Sequence, residues 1–223
     1  MKTNAWIALA TIIATIVSTP EKANASLIAY WDFNNYAGAD TPPALSADFG
    51  SGSLLFSTFT GGGSDSQTGT SLNARNGSGA GNALAFVGSS HNGESLLIQI
   101  VGTGLSDFVV TYASRRTSTG FTTHQWAYST DGSTFNDFAT ISFTADTVFE
   151  LKTVDFSSIS ALDNQATVYF RDTISGATST GNNRFDNFAI EAVPEPTTIA
   201  LGIFAAGLVG FSGLRALRKK LKP

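Results

Sequence analysis

The sequence predicts an all-β fold in which two antiparallel sheets pack face to face as a sandwich. Short runs rich in Val, Ile, Phe, Tyr and Thr recur between clusters of Gly, Ser, Asn and Asp, which is the pattern of strands separated by turns. Between the two chain ends, no stretch of ten residues shows the apolar period of a helix. Strands that follow one another without intervening helices favour antiparallel sheets.

Ten segments show this strand pattern, and each is bounded by turn residues. In chain order they are residues 26–33, 53–59, 83–88, 95–101, 107–113, 124–129, 137–143, 148–156, 166–172 and 184–191. The span that contains them, about 170 residues, is long enough for one well-packed domain. Since the chain has no cysteine, the apolar core has to stabilise that domain without disulfides.

The clearest turn signal is Asp131-Gly132, which lies between an aromatic strand and the next apolar segment. Gly accepts a positive φ without steric strain and Asp tolerates it, so the pair predicts a hairpin. Asp131 is therefore interpreted as a turn residue, with a metal or sugar ligand as the alternative.

Residues 61–82 contain seven glycines in 22 positions and one sizeable apolar side chain, Leu72. A loop of this length is either functional or mobile. It lacks the repeated Gly-Gly-x-Gly-x-Asp spacing of a calcium-binding β-roll. The composition predicts a mobile loop.

The N-terminal 25 residues have the pattern of a signal peptide. Lys2 precedes an apolar stretch at residues 5–17, and Ala23 and Ala25 provide the small-x-small pattern of a signal-peptidase site before Ser26. A retained membrane anchor is the alternative, but the apolar stretch is short for a span. We expect export, with cleavage by signal peptidase after Ala25.

The C-terminal segment begins with Val193-Pro194-Glu195-Pro196 and continues with an uncharged apolar run at residues 197–214. At about 1.5 Å per residue this run is roughly 27 Å long as a helix, close to the ~30 Å hydrocarbon core of a bilayer. The basic residues at 215–222 follow at once and predict a cytoplasmic tail, with the preceding domain outside. A buried soluble helix is the alternative, but the run lacks a polar stripe.

The region from Ser26 to Pro196 is acidic, with 16 acidic against 6 basic residues and a formal net charge of −10. Nucleic-acid phosphates require clustered cations, so this charge argues against nucleic acid as a partner. It is compatible with calcium or with neutral sugars.

The order of motif, span and basic stop resembles the PEP-CTERM sorting tail of exported bacterial proteins. Pro194, Glu195 and Pro196 match the motif, residues 197–214 the span, and residues 215–223 the basic tail. The resemblance implies processing by an exosortase, a membrane transpeptidase of Gram-negative bacteria that make extracellular polysaccharide. It also implies export across the inner membrane, a transient membrane anchor, and a final place at the cell surface or in the extracellular matrix.

The domain organisation that follows is a signal peptide at 1–25, an exported β-sandwich at 26–192 and a sorting tail at 193–223. Within the sandwich, segments 83–141 and 166–190 resemble a domain that often precedes such tails. The matching pieces are residues 83–88, the pair Arg115-Arg116, residues 128–135 and residues 184–190. This second resemblance implies a jelly-roll-like sandwich and brings no catalytic residues with it.

Asp186 is an unusual residue for the last strand. In an extended strand it shares parity with Phe188 and Ile190, so its carboxylate is expected to point toward their apolar face. A carboxylate there needs a partner. The alternatives are backbone N–H groups, Arg184 or Arg171, or a metal ion.

The layout also resembles carbohydrate-binding jelly rolls, where an acidic residue at the start of the last strand often joins one from the first strand around a structural calcium. By that resemblance Asp32 is the partner of Asp186, and Asn187 completes an oxygen-rich shell.

Aromatic side chains in the strands have two interpretations, because they either fill the core or form a platform for sugar rings. Trp126 is assigned to the core. Trp31 is a candidate for the core or for a glycan contact, since its strand carries aromatic residues on both faces.

Catalytic patterns are weak. The two histidines, His91 and His124, lie in no metal-ligand spacing, and there is no cysteine or G-x-S-x-G motif. A glycosidase needs only two suitably spaced carboxylates, so pairs such as Glu94 with Glu150 keep that activity as an alternative. We expect a non-catalytic secreted or surface-attached protein that acts in the polysaccharide matrix by adhesion or glycan binding, with a polysaccharide hydrolase or lyase as the alternative.

Overall fold

The computed structural model describes residues 24–38, 44–145 and 147–195. The predicted signal peptide up to Ala23, Pro196, the apolar run at 197–214 and the basic tail lie outside these residues. Among the residues that are described, none forms a helix long and apolar enough to span a bilayer.

Two antiparallel sheets form a sandwich, which confirms the predicted all-β fold. The strands are β1 (Ser26–Trp31), β2 (Leu45–Ser46), β3 (Phe49–Gly50), β4 (Ser53–Leu55), β5 (Ser64–Thr68), β6 (Asn82–Val87), β7 (Ser95–Val101), β8 (Leu105–Arg116), β9 (Thr123–Ser129), β10 (Asn136–Ser142), β11 (Glu150–Asp155), β12 (Thr167–Ser175) and β13 (Asn182–Pro194). The seven-stranded sheet has the order β11-β8-β13-β1-β3, and β6 also pairs with β13 and carries β5 at its edge. The six-stranded sheet has the order β10-β9-β12-β7-β4-β2.

The core lies between the sheets and is built from alternate strand residues. In β12 every second residue is buried, because successive side chains point to opposite faces. Aromatic rings dominate the centre, where Tyr112 stacks on Phe188 at 5.2 Å and on Phe185 at 5.5 Å between ring centroids. The buried core cluster runs from Ala29 to Ala192, so the exported domain contains its own core.

All ten predicted strands are present, and three further strands were missed. Two of these, β2 and β3, have two residues each and are too short to show a period. The third, β5 with the sequence SDSQT, has no apolar residue and lies inside the segment predicted to be a mobile loop. It is an edge strand that pairs with β6 from Ser64 to Thr68. Edge strands tolerate polar residues on both faces, which explains the miss.

The predicted hairpin at Asp131-Gly132 is confirmed, and Asp131 is a turn residue. Its Oδ1 accepts hydrogen bonds from the backbone N–H groups of Ser133 and Thr134, both at 2.8 Å, and Gly132 has a φ of 73°. These donors hold the pKa of the Asp131 carboxyl well below its usual range.

The last strand, β13, continues past the predicted end of the sandwich at residue 192. Val193 pairs with Ser106 and Pro194 with Leu105 of β8, and the Glu195 N–H donates to the Gly104 carbonyl at 2.8 Å. Pairing with β1 already ends at Ala192, so within the described residues β8 and Gly104, the residue before it, hold this extension. Pro194 fits because a proline without an N–H is tolerated at such a strand end.

Candidate functional site

The predicted calcium residues lie on the outer face of the seven-stranded sheet, which we define as the face that points away from the six-stranded sheet. Phe185 packs on Tyr112 in the core, so the next residue, Asp186, points outward. A bulge then follows, where the register shifts between Asp186 and Ala189 and Asn187 has a φ of 49°. The expectation that Asp186 shares a face with Phe188 is therefore wrong, because the extra residue resets the alternation.

Asp186 is nevertheless fully buried, because residues 69–82 cover it. We call this segment the strap. The Asp186 carboxylate accepts the backbone N–H of Thr70 at 2.6 Å and that of Asn187 at 2.8 Å, so the backbone alternative from the sequence is confirmed. A Cβ at Gly69 would lie 2.3 Å from Asp186 Oδ2, so only glycine lets the strap approach this closely.

Asn187 is the main anchor of the strap. Its Nδ2 donates to the carbonyl oxygens of Thr70 at 2.6 Å and Leu72 at 3.0 Å, and its Oδ1 accepts the hydroxyl of Tyr30. Asparagine tolerates the left-handed backbone conformation of this bulge better than most residues do. One side chain thus links β1, β13 and the strap.

Further bonds fix the rest of the strap. Asn73 Nδ2 donates to the Asn187 carbonyl at 2.7 Å and to Thr111 Oγ1 at 3.1 Å. Near the other end, Ser78 Oγ donates to Asp32 Oδ2 at 2.8 Å. The prediction of a mobile loop for residues 61–82 is therefore wrong, since β5 and the strap are both tied to the sheet.

The electrostatics of Asp186 are unfavourable for its charged form. Burial raises its pKa to about 7, although the N–H groups of Thr70 and Asn187 oppose the shift, and the charge of Asp32 raises the pKa further. Asp32 and Asp186 therefore interact as two carboxylates that repel each other.

Calcium does not fit this arrangement as it stands. Calcium takes about six to eight oxygen ligands, whereas both Asp186 oxygens face backbone N–H groups and Asn187 Oδ1 accepts the Tyr30 hydroxyl. In the described part of the chain, no three His, Cys, Asp or Glu side chains form a group able to hold a metal ion. Calcium at Asp32, Asp186 and Asn187 stays a prediction.

The raised pKa of Asp186 gives a test. Without calcium, we expect the free energy of unfolding to fall as the pH rises from about 4 towards about 7, because the folded protein holds this proton more tightly than the unfolded chain does. Denaturant unfolding from pH 4.5 to 8 in a chelator measures the slope. The variant Asp186→Asn should show a shallower slope, and this difference isolates Asp186 from other carboxyls with raised pKa values.

The same titration in excess CaCl2 decides the calcium hypothesis. A cation bound to the Asp186 carboxylate stabilises its charged form, so calcium should remove the fall in stability in the wild type and leave Asp186→Asn unchanged. An identical slope with and without calcium rejects the metal site.

Trp31 belongs to the core. Its side chain is 1% exposed, its ring packs edge-on against Phe188 at 6.3 Å, and its Nε1 donates to the Leu45 carbonyl at 3.1 Å. The predicted glycan contact at Trp31 is wrong in this structure, because the ring has no exposed face for a sugar. Trp126 is also fully buried, which confirms its assignment to the core.

A buried His–Asp pair was missed by sequence reasoning. His124 Nδ1 lies 2.7 Å from Asp172 Oδ2, and both side chains are fully buried. Asn183 Nδ2 contacts His124 Nε2 at 2.9 Å and donates to the Phe121 carbonyl, also at 2.9 Å. This network assigns the ring proton to Nδ1, so His124 donates to Asp172. The sequence does indicate that Asp172 is buried. In β12 it lies two residues after Phe170 and four after Val168, so its side chain points to the same buried face as theirs.

The sorting motif is partly built into the domain. Of its three residues, Pro194 ends β13 and Glu195 bonds to Gly104, while Pro196 lies outside the described residues. Ser26, the residue after the predicted signal-peptide cleavage site, starts β1 and pairs with Ala192. Both predicted processing points therefore lie next to paired strand ends.

Several solved structures resemble the domain in shape. The CBM22-1 xylan-binding domain from Paenibacillus barcinonensis is 10% identical and has a TM-score of 0.46, with 78% of this chain and 98% of that chain covered. A cleaved adhesin domain of Lys-gingipain from Porphyromonas gingivalis is 12% identical, with a TM-score of 0.45 and coverage of 75% and 97%. The module TmCBM61, solved with beta-1,4-galactotriose, is 12% identical, with a TM-score of 0.37 and coverage of 71% and 92%.

No curated protein matches the chain in sequence. A family model matches its C-terminal end, at residues 192–219, and that family is described as the PEP-CTERM protein-sorting motif. The match includes the last three residues of β13, 192–194, and all three residues of the motif. The chain is thus an exported protein whose β-sandwich continues directly into a C-terminal PEP-CTERM sorting signal.

Proposed function

We propose that the sandwich is a non-catalytic binding module that an exosortase releases from its membrane span and that acts at the surface of a Gram-negative cell or in its polysaccharide matrix, by adhesion or glycan contact. One observation carries this proposal. The sorting signal at 192–219 begins inside the last strand of the domain. The folded sandwich is therefore the part of the chain that is delivered.

The positions of the candidate catalytic groups support a binding role. His124 and Asp172 face each other inside the core, and the imidazole packs against Phe143 and Phe185 at 4.3 and 5.2 Å between ring centroids. The His91 ring contacts that of Phe59 in a tilted arrangement, with 5.6 Å between ring centroids. The burial of His124 and Asp172 supports a structural role for this pair.

The carboxylate pair considered for a glycosidase is split between the sheets. Glu94 directly precedes β7 of the six-stranded sheet, whereas Glu150 starts β11 at the edge of the seven-stranded sheet. Glu150 Oε2 also accepts a hydrogen bond from Lys152 Nζ at 2.5 Å. A polysaccharide hydrolase or lyase remains the alternative function.

The host's own exopolysaccharide separates the two functions. We expect a purified domain of residues 26–195 to be retained on immobilised exopolysaccharide and to leave its chain length unchanged, as measured by size-exclusion chromatography of the polymer. Depolymerisation would establish the enzyme alternative. Lack of retention would contradict the glycan-contact proposal.

A further inference from the structure

The turn between β7 and β8, at residues 102–105, holds the first part of the sorting motif against the sandwich. The Gly104 carbonyl accepts the N–H of Glu195 at 2.8 Å, and Leu105 is the register partner of Pro194. The turn therefore lies at the junction between the sandwich and the sorting tail.

Asn164, in the loop before β12, fixes this turn. Its Oδ1 accepts the Gly104 N–H at 2.8 Å, and its own N–H donates to the Leu105 carbonyl, also at 2.8 Å. Asn164 has a φ of 52°, which asparagine tolerates better than most residues do. Gly104 thus bonds to Asn164 through its N–H and to Glu195 through its carbonyl. One side chain outside the motif orders the backbone acceptor that the motif uses.

The start of the turn is packed against the same loop. Gly102 is buried, and a Cβ there would lie 2.7 Å from Val168 Cγ2 and 2.8 Å from the Gln165 carbonyl oxygen. The Gly102 N–H also donates to the Ala166 carbonyl at 3.4 Å. These contacts keep the turn in place when the chain beyond it moves. We call residues 102–105 together with Asn164 the latch.

The latch holds the motif close to the predicted span. Only Pro196 separates Glu195 from the apolar run at 197–214, and two residues of extended chain reach about 7 Å. An enzyme that cuts at the motif therefore meets a segment that is still paired to the sandwich. Within the described residues this segment is paired on one side, because β1 pairs with β13 no further than Ala192.

We propose that the latch shields residues 193–195 from the exosortase, so that the chain is cut only in an open state, in which these residues have separated from β8. The proposal rests on the exosortase processing proposed above and adds the step that controls access to the motif. Strand ends open locally at a fraction of the free energy of global unfolding. When a segment opens and closes faster than it is cut, the rate of cutting follows the fraction of open molecules. Asn164 is then a positioning residue for processing, because it acts on the motif through Gly104.

The first test is the variant Asn164→Gly in the full chain, expressed in the host. Glycine keeps the left-handed backbone and removes the side-chain acceptor of the Gly104 N–H. Loss of one hydrogen bond raises the open fraction about two- to tenfold, so pulse-chase labelling should show the mature form appearing faster by that factor. Asn164→Asp keeps an acceptor oxygen and should mature at the wild-type rate.

The matched control is Asn73→Gly in the strap. Asn73 also has a left-handed backbone, with a φ of 65°, and its side chain bonds to Thr111 and to the Asn187 carbonyl. Thr111 lies six residues along β8 from the latch. Asn73→Gly should lower the melting temperature at least as much as Asn164→Gly does, yet mature at the wild-type rate. This pair separates local opening of the latch from a loss of global stability.

The second test locks the latch. Ser106 and Val193 are register partners, and such partners have Cα atoms about 4.5–5.5 Å apart, within the range that a disulfide spans. Because the chain has no cysteine, the double variant Ser106→Cys with Val193→Cys can form a single bridge. Closing the bridge with a thiol oxidant should stop maturation, and dithiothreitol should restore it. Val193→Cys alone should mature under both conditions.

Faster maturation of Asn164→Gly, together with arrest of the bridged variant, supports the latch. Maturation of Asn164→Gly at or below the wild-type rate overturns it, as does undiminished maturation of the bridged protein. If the wild type matures only through its intact motif while these variants behave like the wild type, the latch is wrong and the exosortase proposal stands. If maturation does not depend on the motif, both proposals fail.

Discussion

Replacing Pro194, Glu195 and Pro196 together by alanine is expected to leave most of the protein unprocessed and in the membrane fraction. The reason is that these residues form the motif within the matched sorting signal. Pro194 lies exposed at the end of β13, and the N–H that alanine adds there is compatible with the end of a strand. Recognition of the motif should therefore be lost while the sandwich keeps its fold.

The measurement is an immunoblot of membrane, surface and medium fractions, with the mass of the mature protein to locate the cut. Two single variants provide the matched comparison. Glu195→Gln changes the motif, whereas Glu191→Gln removes a carboxylate just outside the matched range, where its Oε1 accepts a hydrogen bond from Arg75 Nη2 at 3.2 Å. Glu191→Gln should mature normally. Normal maturation of the triple alanine variant would refute the sorting assignment.

The junction between domain and tail adds a constraint on processing. Val193, Pro194 and Glu195 are held against Ser106, Leu105 and Gly104, so the proposed exosortase has to free this segment before it can bind it. Each backbone hydrogen bond contributes about 0.5–1.5 kcal/mol net to stability, so breaking the few that hold residues 193–195 costs only a few kcal/mol. Because β1 no longer pairs with β13 beyond Ala192, the end of β13 can separate from β8 without opening the core.

The fold was predictable because its strongest signal is local. Period-two alternation records which face of a strand is buried, and β7 and β12 follow it along most of their length. Trp31 was not assignable in this way, since Tyr30 and Trp31 place aromatic rings on both faces of β1. Which face meets the core depends on pairing with β13, where Trp31 lies opposite Phe188.

The candidate site was only half predictable, because its geometry depends on contacts distant in sequence. The resemblance to carbohydrate-binding jelly rolls placed Asp32, Asp186 and Asn187 together. The bulge that turns Asp186 outward is not visible in the sequence, because Phe188 and Ile190 still alternate as in a regular strand. The glycine-rich strap has the composition of a mobile loop. Its order comes from side-chain bonds to Asn187, more than 110 positions away, and no local pattern reports them.

Within the core, replacing His124 by leucine is expected to destabilise the domain by about 3–5 kcal/mol, because it leaves the buried Asp172 carboxylate without its partner. For a domain of this size that corresponds to a melting temperature lower by about 6–20 °C. Burial already raises the pKa of Asp172, and His124 opposes that shift. The Asp172→Leu variant should lose less, about 1–3 kcal/mol, because the group that it leaves unbonded is one ring N–H and not a carboxylate.

The double variant His124→Leu with Asp172→Leu is the decisive control. It removes both polar partners and fills their space with apolar side chains, so its stability should return close to that of the wild type or exceed it. Denaturant unfolding of the four proteins at pH 7 gives the coupling free energy of the pair. Additive losses in the double variant would show that the two side chains act independently, contrary to the structure. Retention of the double variant on exopolysaccharide at wild-type affinity would show that the pair is structural, because a ring enclosed by Phe143 and Phe185 reaches no ligand.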